Sequence, residues 1–475
     1  MNVLAIVIPH SDRHTGDYTV LNFPLGLAYI IGVLRQQLPE ANIYIKDFSI
    51  GTIIEEHEMK GKLLDINKRF KPDYIMYDAM ITQFTYIKIL SRLLKDIFPK
   101  SRQVLGGSAA GSGYNYFLRD GVIDYFIIGE GEIAIVDILK GNYRNNSSVV
   151  VKENKKDPER QIVNDLDSLP FPSYKDFMIE EYVKGNYDYT GWRYMPMITQ
   201  RGCPYSCNFC YSNFGKVVRN RDVDLVIEEM ALLKSDHNID SIYFWDEVQF
   251  LNKGWMEKFC LKLIDKKIDL KWTCSSRASL LQEKDMSLLR LAKRAGCLRI
   301  TIGIESGNQG VLDRINKRNS VDQIENALRR IRNAGIKASG SMLVGYVGEN
   351  EETIQDSIDF ANRNLLKTSF YCLIPLPGSE IYRHCLKNEL IKNEVAYLEK
   401  VSLLGGDASH IGINLTDMDD ITYEYQIKRA NALVANIKLR DILNYYGVIK
   451  GLLVHLKLYY LFIKLKTTKR MFETP

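Results

Sequence analysis

Three cysteines fall in one short segment, Arg201-Gly202-Cys203-Pro204-Tyr205-Ser206-Cys207-Asn208-Phe209-Cys210-Tyr211, with the order Cys-x3-Cys-x2-Cys and an aromatic just before the last thiol. A structural zinc tetrahedron takes four protein ligands, and an iron-sulfur cube used only for electron transfer takes four cysteines. A group of three leaves one metal corner open, where a small molecule can bind and react. A zinc site would need a distant fourth ligand; His237 and Cys274 are the available choices, and neither has ligand-like spacing. The other five cysteines, Cys260, Cys274, Cys297, Cys372 and Cys385, are scattered among apolar neighbours and read as small buried hydrophobes.

The chain that must position these thiols has 475 residues, 46% of them hydrophobic and 25% charged, enough for two or three domains with their own cores. The net charge of +5 is small and spread along the chain, so it gives no warrant for a nucleic-acid surface. The apolar run from Met1 to Pro9 is too short for a signal peptide and lacks the basic prelude and cleavage site. A cytoplasmic location is expected, and its reducing conditions suit unpaired thiols.

Between Met1 and about Lys140, short β-rich runs alternate with helical periodicity. Val3 to Ile8, Ile43 to Ile45, Tyr74 to Tyr77, Gln103 to Leu105 and Tyr125 to Ile128 read as strands, while Leu27, Ile30, Ile31, Leu34 and Leu38 mark one helix face. This pattern predicts a doubly wound parallel sheet with its ligand site past the carboxyl ends of the strands. Residues 141–190 lose the alternation and read as a linker. A second alternation over 191–387 predicts a partial (β/α)6 barrel, with strands at Met197 to Thr199, Ser241 to Phe244, Leu270 to Cys274, Leu298 to Ile304, Lys337 to Val344 and Ser369 to Leu373. Residues 388–475 read as a helical C-terminal extension. The cysteines follow the first barrel strand, at the rim where barrel enzymes build active sites.

The cysteine segment resembles the radical S-adenosylmethionine superfamily, and several later fragments share that resemblance. In that family three thiolates hold a four-iron, four-sulfur cluster, and the fourth iron chelates S-adenosylmethionine; Cys203, Cys207 and Cys210 would be the ligands here. The resemblance implies that Asp246 and Glu247, in Phe244-Trp245-Asp246-Glu247, accept hydrogen bonds from the cosubstrate's ammonium; read on their own, the pair would serve as a helix N-cap and first-turn acid. Ser275, in Cys274-Ser275-Ser276-Arg277, and Glu305, in Gly303-Ile304-Glu305-Ser306-Gly307, stand where the family contacts the cosubstrate and its ribose. Met342 and Val344, in the segment Met342 to Glu349, match the stretch whose backbone lines the adenine. Leu376-Pro377-Gly378-Ser379-Glu380 also follows the family pattern. Tyr211 or Tyr346 could serve as a hydrogen donor near the rim, although packing is the commoner role.

The N-terminal domain is flavodoxin-like in its expected shape, and Phe23 to Ile30, Gly106-Gly107 and Ile128-Gly129-Glu130-Gly131-Glu132 resemble the cobalamin-binding domain joined to one branch of these enzymes. Pro24, Leu25, Gly26, Thr82, Gly106, Gly107 and Glu130 are the implied cobalamin contacts, the glycines allowing close approach of the ligand. The loop Asp47-Phe48-Ser49-Ile50-Gly51 carries no histidine to ligate cobalt, and Asp78 stands where a serine is common. With cobalamin bound, the resemblance implies methylation of an unactivated carbon. Without it, the same radical would drive cyclisation, oxidation or rearrangement. A non-enzymatic redox sensor built on the cluster is the rival from another class. The expected partners are a small-molecule or peptide substrate and an electron donor such as flavodoxin or ferredoxin. Val448 to Leu465, with lysines at 450, 457 and 464, forms a basic amphipathic stretch suited to docking on the barrel or to peripheral contact with an anionic membrane.

Overall fold

A computed structural model describes residues 1–9, 21–50, 55–153, 157–366, 368–404 and 412–435. Near the N-terminus, six strands form one sheet: β1 (Asn2–Val7), β2 (Asn42–Asp47), β3 (Tyr74–Asp78), β4 (Arg102–Gly106), β5 (Tyr125–Ile127) and β6 (Val149–Val150). Their order is β2-β1-β3-β4-β5-β6, and every pair is parallel except β5 with β6. Val3, Leu4, Ala5 and Ile6 are wholly buried because helices cover both faces, which explains why β1 reads as a continuous apolar run. The order reverses between β1 and β3, and a ligand crevice opens at such a switch point.

The segment expected to be only a linker contributes structure of its own. It supplies β6 as an antiparallel edge and a helix, Ile179–Thr190. Tyr182 of that helix donates to the Asp47 carboxylate, which also accepts from the Ser49 amide and hydroxyl, each at 2.7 Å. Two residues carrying no periodic pattern thereby clamp the crossing helix onto the end of β2.

The second sheet is built from β7 (Tyr194–Met197), β10 (Ser241–Phe244), β11 (Lys271–Ser276), β12 (Cys297–Glu305), β13 (Lys337–Val344) and β14 (Phe370–Cys372). All pairs are parallel in the order β14-β13-β12-β11-β10-β7, the curled half-barrel that the six βα repeats predict. A short antiparallel pair, β8 (Gln200–Arg201) and β9 (Arg219–Asn220), stands between β7 and β10 in the chain and brackets the cysteine loop. This pair is why the first barrel strand ends at Met197 and not at Thr199. On β11, Trp272 and Cys274 are buried beneath the helix Lys253–Asp265, where Trp272 meets Phe259 edge-on. Thr273 and Ser275 alternate to the other, half-exposed side. A strand with period two thus gives the half-barrel an apolar back and a polar lumen.

The C-terminal helices tie the two sheets together. Helix Glu394–Leu403 packs on helix Phe84–Ile97, with Lys88 Nζ 2.8 Å from Glu399 and the Thr85 amide donating to Ser402. Tyr423, on helix Asp420–Ala435, donates to the Val344 carbonyl at 3.2 Å. The basic stretch 448–465 lies outside the described residues. No described helix is long and apolar enough to cross a membrane.

Candidate active site

The cysteine loop leaves β8 through Gly202, whose φ of +97° is costly for any residue with a Cβ; a methyl there would lie 2.1 Å from the Val217 carbonyl. Backbone bonds then shape the loop, from the Cys203 amide to Gly215 O and from the Cys210 amide to Cys207 O, both at 3.1 Å. Asn208 fastens it to the barrel: its amide donates to Ile315 O at 3.1 Å, and its side chain donates to Arg314 O at 2.9 Å and to Tyr346 Oη at 3.2 Å. Cys203 and Cys207 are half-buried and Cys210 is exposed, all three as free thiols. Although the Cys210 residue is exposed at the surface, protein atoms crowd its thiol and, followed by the neighbouring Cys207 and Glu247, push it up to about 11. Among the described residues no three His, Cys, Asp or Glu side chains are grouped to hold a single metal ion. His237 ends a helix beside Tyr174, and Cys274 faces the buried back of β11, so neither closes a zinc tetrahedron.

Arg277, missed as a site residue in the sequence, lies over this loop. Its Nη1 is 3.4 Å from Cys207 Sγ, its Nη2 donates to Lys317 O, and its guanidinium stacks 3.8 Å from the centre of the Tyr205 ring. A guanidinium beside a sulfur suits a thiolate-bound cluster, since it offers a fixed positive donor to anionic ligands.

The three consecutive residues after β10 have separate tasks. Asp246 is buried and accepts from the Thr199 amide at 2.7 Å, the Thr199 hydroxyl at 2.8 Å, the Gln200 amide at 2.9 Å and the Gln249 side chain. Its oxygens are committed to anchoring the entry of the cysteine loop, and burial still raises it to about 6. It is not a helix cap either, because the next helix starts at Lys253 and Asn252 caps it. Glu247 turns toward the thiols: Oε1 accepts from Ser212 at 3.3 Å, whereas Oε2 is buried with no hydrogen-bond partner among the described residues, and burial raises its pKa. An unpaired buried carboxylate oxygen is costly unless a cation or donor arrives, so Glu247 fits a ligand ammonium. Trp245 points the other way and lines the cleft at the N-terminal sheet.

The remaining expected cosubstrate contacts divide by strand phase. Ser275 is on the lumen side of β11. Glu305 sits at a bulge in β12 with φ of +66° and is held by Lys317 at 2.6 Å, an ion pair the sequence did not reveal. Met342 and Val344 have side chains buried on the back of β13, and the Val344 carbonyl already accepts from Leu373 at 2.7 Å. Leu343 and Ser341, not their buried neighbours, are half-exposed on the lumen side. Tyr346 donates to Arg314 O at 3.3 Å, and Tyr211 is wedged between Gly111 and Gly378 beneath Arg160; both act as packing and bonding groups.

An open cleft of about 290 Å³ separates the strand ends of the first sheet from the cysteine rim. Its floor includes Leu25, Gly26, Asp78, Gly106 and Gly107, and Arg201, Phe214 and Trp245 close it from the barrel. Pro24 and Thr82, expected contacts, do not line it. Gly107 has φ of +76°, and a methyl on it would lie 2.0 Å from Asp78 Oδ1. Its missing side chain therefore makes room for the protein's own carboxylate. Glu130 lines the cleft but gives both oxygens to the barrel: Arg201 Nη1 at 2.8 Å and Arg219 Nη2 at 2.6 Å. Glu132 takes Arg201 Nη2 at 2.7 Å. Gly129, with φ of +97°, is there for the backbone of Gln161, whose carbonyl would lie 2.4 Å from a methyl. The Gly-Glu-Gly-Glu turn is thus the buried joint between the two sheets. The glycine-edged, mainly apolar cleft left beside it suits a broad flat ligand pressed against backbone.

Comparison with known proteins agrees with this division. Residues 197–361 match the radical SAM superfamily model, and residues 17–139 match the B12 binding domain model. The chain is 28% identical over 416 residues to an uncharacterized methyltransferase of Pyrococcus horikoshii, covering 82% of this chain and 84% of that protein. It is 24% identical over 375 residues to the anaerobic magnesium-protoporphyrin IX monomethyl ester cyclase of Cereibacter sphaeroides, covering 75% of this chain and 60% of that one. The fold is similar to that of OxsB, a cobalamin-dependent S-adenosylmethionine radical enzyme solved with aqua-cobalamin and S-adenosylmethionine bound. The TM-score is 0.63 at 19% identity, over 88% of this chain and 58% of the OxsB chain. The chain carries a radical SAM domain and, before it, a B12 binding domain, and these two domains imply a 4Fe-4S cluster, S-adenosylmethionine and cobalamin as its cofactors.

Proposed function

We propose that this enzyme methylates an unactivated carbon of a small-molecule or peptide substrate, with Cys203, Cys207 and Cys210 as the cluster ligands. When bound, the cluster supplies the electron that cleaves S-adenosylmethionine to a 5′-deoxyadenosyl radical, and cobalamin carries the methyl group. The observation that carries the reading is the run Trp245-Asp246-Glu247: Trp245 lines the cleft, Asp246 anchors the cysteine loop, and Glu247 keeps a free buried oxygen beside the thiols. One tripeptide thereby registers two cofactors against each other. In this reading Glu247 accepts from the cosubstrate ammonium, Ser275 and Glu305 face its sugar, and the backbone around Leu343 lies along its base. Leu25, Gly26, Gly106 and Gly107 form the floor under the corrin. Arg277 fixes Cys207, and the apolar cleft walls exclude water from the reacting groups. A reductant of low potential must reach the exposed Cys210 side of the loop, where flavodoxin or ferredoxin would serve, in the cytoplasm.

Methylation is favoured over cyclisation by the P. horikoshii relative, which carries the higher identity and is covered over 84% of its length. The test is anaerobic reconstitution with iron, sulfide and hydroxocobalamin, followed by dithionite and S-adenosylmethionine. Methylation predicts both 5′-deoxyadenosine and S-adenosylhomocysteine. Cyclisation predicts the first product alone, and a redox sensor gives neither above a Cys203→Ala control.

A further inference from the structure

Asp78 is the one acidic side chain of the cleft floor that the protein leaves without a cationic partner among the described residues. It ends β3, the strand beside the switch point and therefore at the middle of the crevice. Glycines in the first turns of the helices Leu25–Gln37 and Gly107–Asp120 stand aside for it: a methyl on Gly26 would lie 2.8 Å from its Oδ2, and one on Gly107 would lie 2.0 Å from its Oδ1. The other acids of the cleft, Glu130 and Glu132, are consumed by Arg201 and Arg219. The rest of the central floor is apolar, including Met76, Val104, Ile127 and Ile135. The residue remains exposed toward the cleft even though protein atoms crowd around it.

A flat macrocycle bound in this cleft must lie between the strand ends and the facing wall of Trp245 and Phe214, which puts its centre over the middle strand. The loop after β2, Asp47 to Gly51, offers no histidine, and the Asp47 carboxylate is already bonded to Ser49 and Tyr182. We infer that Asp78 is the lower axial group of the bound corrin, its carboxylate oxygen donating a lone pair to cobalt on the sheet side and displacing water there. The inference rests on the cobalamin reading above and deepens it. Burial, with the charge of Glu132 second, raises this carboxyl to about 6, as suits an anion whose counter-charge arrives with the ligand. An anionic oxygen donor stabilises the higher cobalt oxidation states, so Asp78 would make the Co(II)/Co(I) step harder and leave the upper face toward the barrel free for chemistry.

The experiment uses the full chain, loaded anaerobically with hydroxocobalamin and desalted. If the wild-type protein retains no corrin, the cobalamin reading itself fails, independently of Asp78. With corrin retained, Asp78→Ala and Asp78→Asn are compared with wild type by redox titration and by electron paramagnetic resonance of the Co(II) state. The expected result is a Co(II)/Co(I) midpoint moved to more positive potential in both variants, and a three-line nitrogen splitting in Asp78→His. An unchanged midpoint in fully loaded variants, with no nitrogen splitting in Asp78→His, overturns the inference. Should Asp78→Ala fail to fold, Asp78→Asn keeps the side-chain size and carries the same comparison.

Discussion

The barrel rim and the cleft floor face each other but follow opposite electrostatic plans. At the rim nearly every charge has a fixed partner: Asp246 holds the loop entry, Glu305 is paired with Lys317, and Arg277 is braced by Lys317 and Tyr205. Among the described residues Glu247 and Glu349 each keep one buried oxygen without a hydrogen-bond partner, and Glu247 is the one beside the thiols. On the floor, glycine, aliphatic side chains and the lone Asp78 leave most of the surface unspecific in charge. The difference follows from what each must hold. A small chelated cosubstrate needs donors fixed to within a fraction of an ångström, whereas a large planar ligand is held by shape and area. The ion pairs from Arg201 and Arg219 to Glu130 and Glu132 keep the two plans in register.

The largest effect should come from the rim alone. Replacing Cys203, Cys207 or Cys210 with alanine is expected to abolish 5′-deoxyadenosine formation and cluster iron, while corrin retention by the cleft stays at the wild-type level. Loss of corrin as well would show that the two regions are not separable.

The joint comes next. Arg201→Met leaves Glu130 and Glu132 buried with reduced pairing, and removing one partner of a buried ion pair typically costs about 3–5 kcal/mol. Denaturant unfolding should show a loss of that order, and 5′-deoxyadenosine formation should become uncoupled from S-adenosylhomocysteine formation as the registry loosens. Wild-type stability in Arg201→Met would remove the joint from the comparison.

A third variant separates paired from truly neutral groups at the rim. Glu349 is buried, accepts from the Gly345 amide at 2.7 Å and the Tyr346 amide at 2.8 Å, and burial raises its pKa to about 7. Because the folded protein holds this proton after the unfolded chain has released it, the native state binds more protons between pH 4.5 and about 7. Stability contributed by this group is therefore lost as pH rises through that window, by about 3 kcal/mol in total. Glu349→Gln, which keeps an acceptor for both amides, should flatten that part of the melting temperature against pH profile.

The smallest effect sharpens the division within Trp245-Asp246-Glu247. Glu247→Gln should weaken S-adenosylmethionine binding by about tenfold, about 1.4 kcal/mol, with iron content unchanged. Asp246→Ala should instead lower cluster retention, because the loop entry loses its anchor. If both variants affect only cosubstrate affinity, the assignment of separate tasks fails.

Much of this molecule was legible from residue order because parallel strands buried on both faces announce themselves by unbroken apolar runs, as Val3 to Ile8 does. The cysteine spacing likewise led to the proposal of an open metal corner, since that depends only on ligand count. Other roles were not legible. Nothing in the local sequence distinguishes Asp246, whose carboxylate turns back to Thr199 and Gln200 across 46 or more residues, from Glu247 one position later. The Gly-Glu-Gly-Glu turn, read as a ligand contact, lines the cleft and is also an interdomain joint, which the sequence hid because its partners, Arg201 and Arg219, lie about seventy to ninety residues away in the chain. Strand phase decided the rest: Met342 and Val344 sit on the buried back of β13, and a shift of one residue brings Leu343 to the lumen. Composition and periodicity are local properties, so residue order alone determined the two α/β units and placed the three thiols in one short loop. Which carboxylates are spent on arginines and which, like those of Glu247 and Asp78, have no ion-pair partner among the described residues is a matter of distance between remote segments, and only the packed chain decides it.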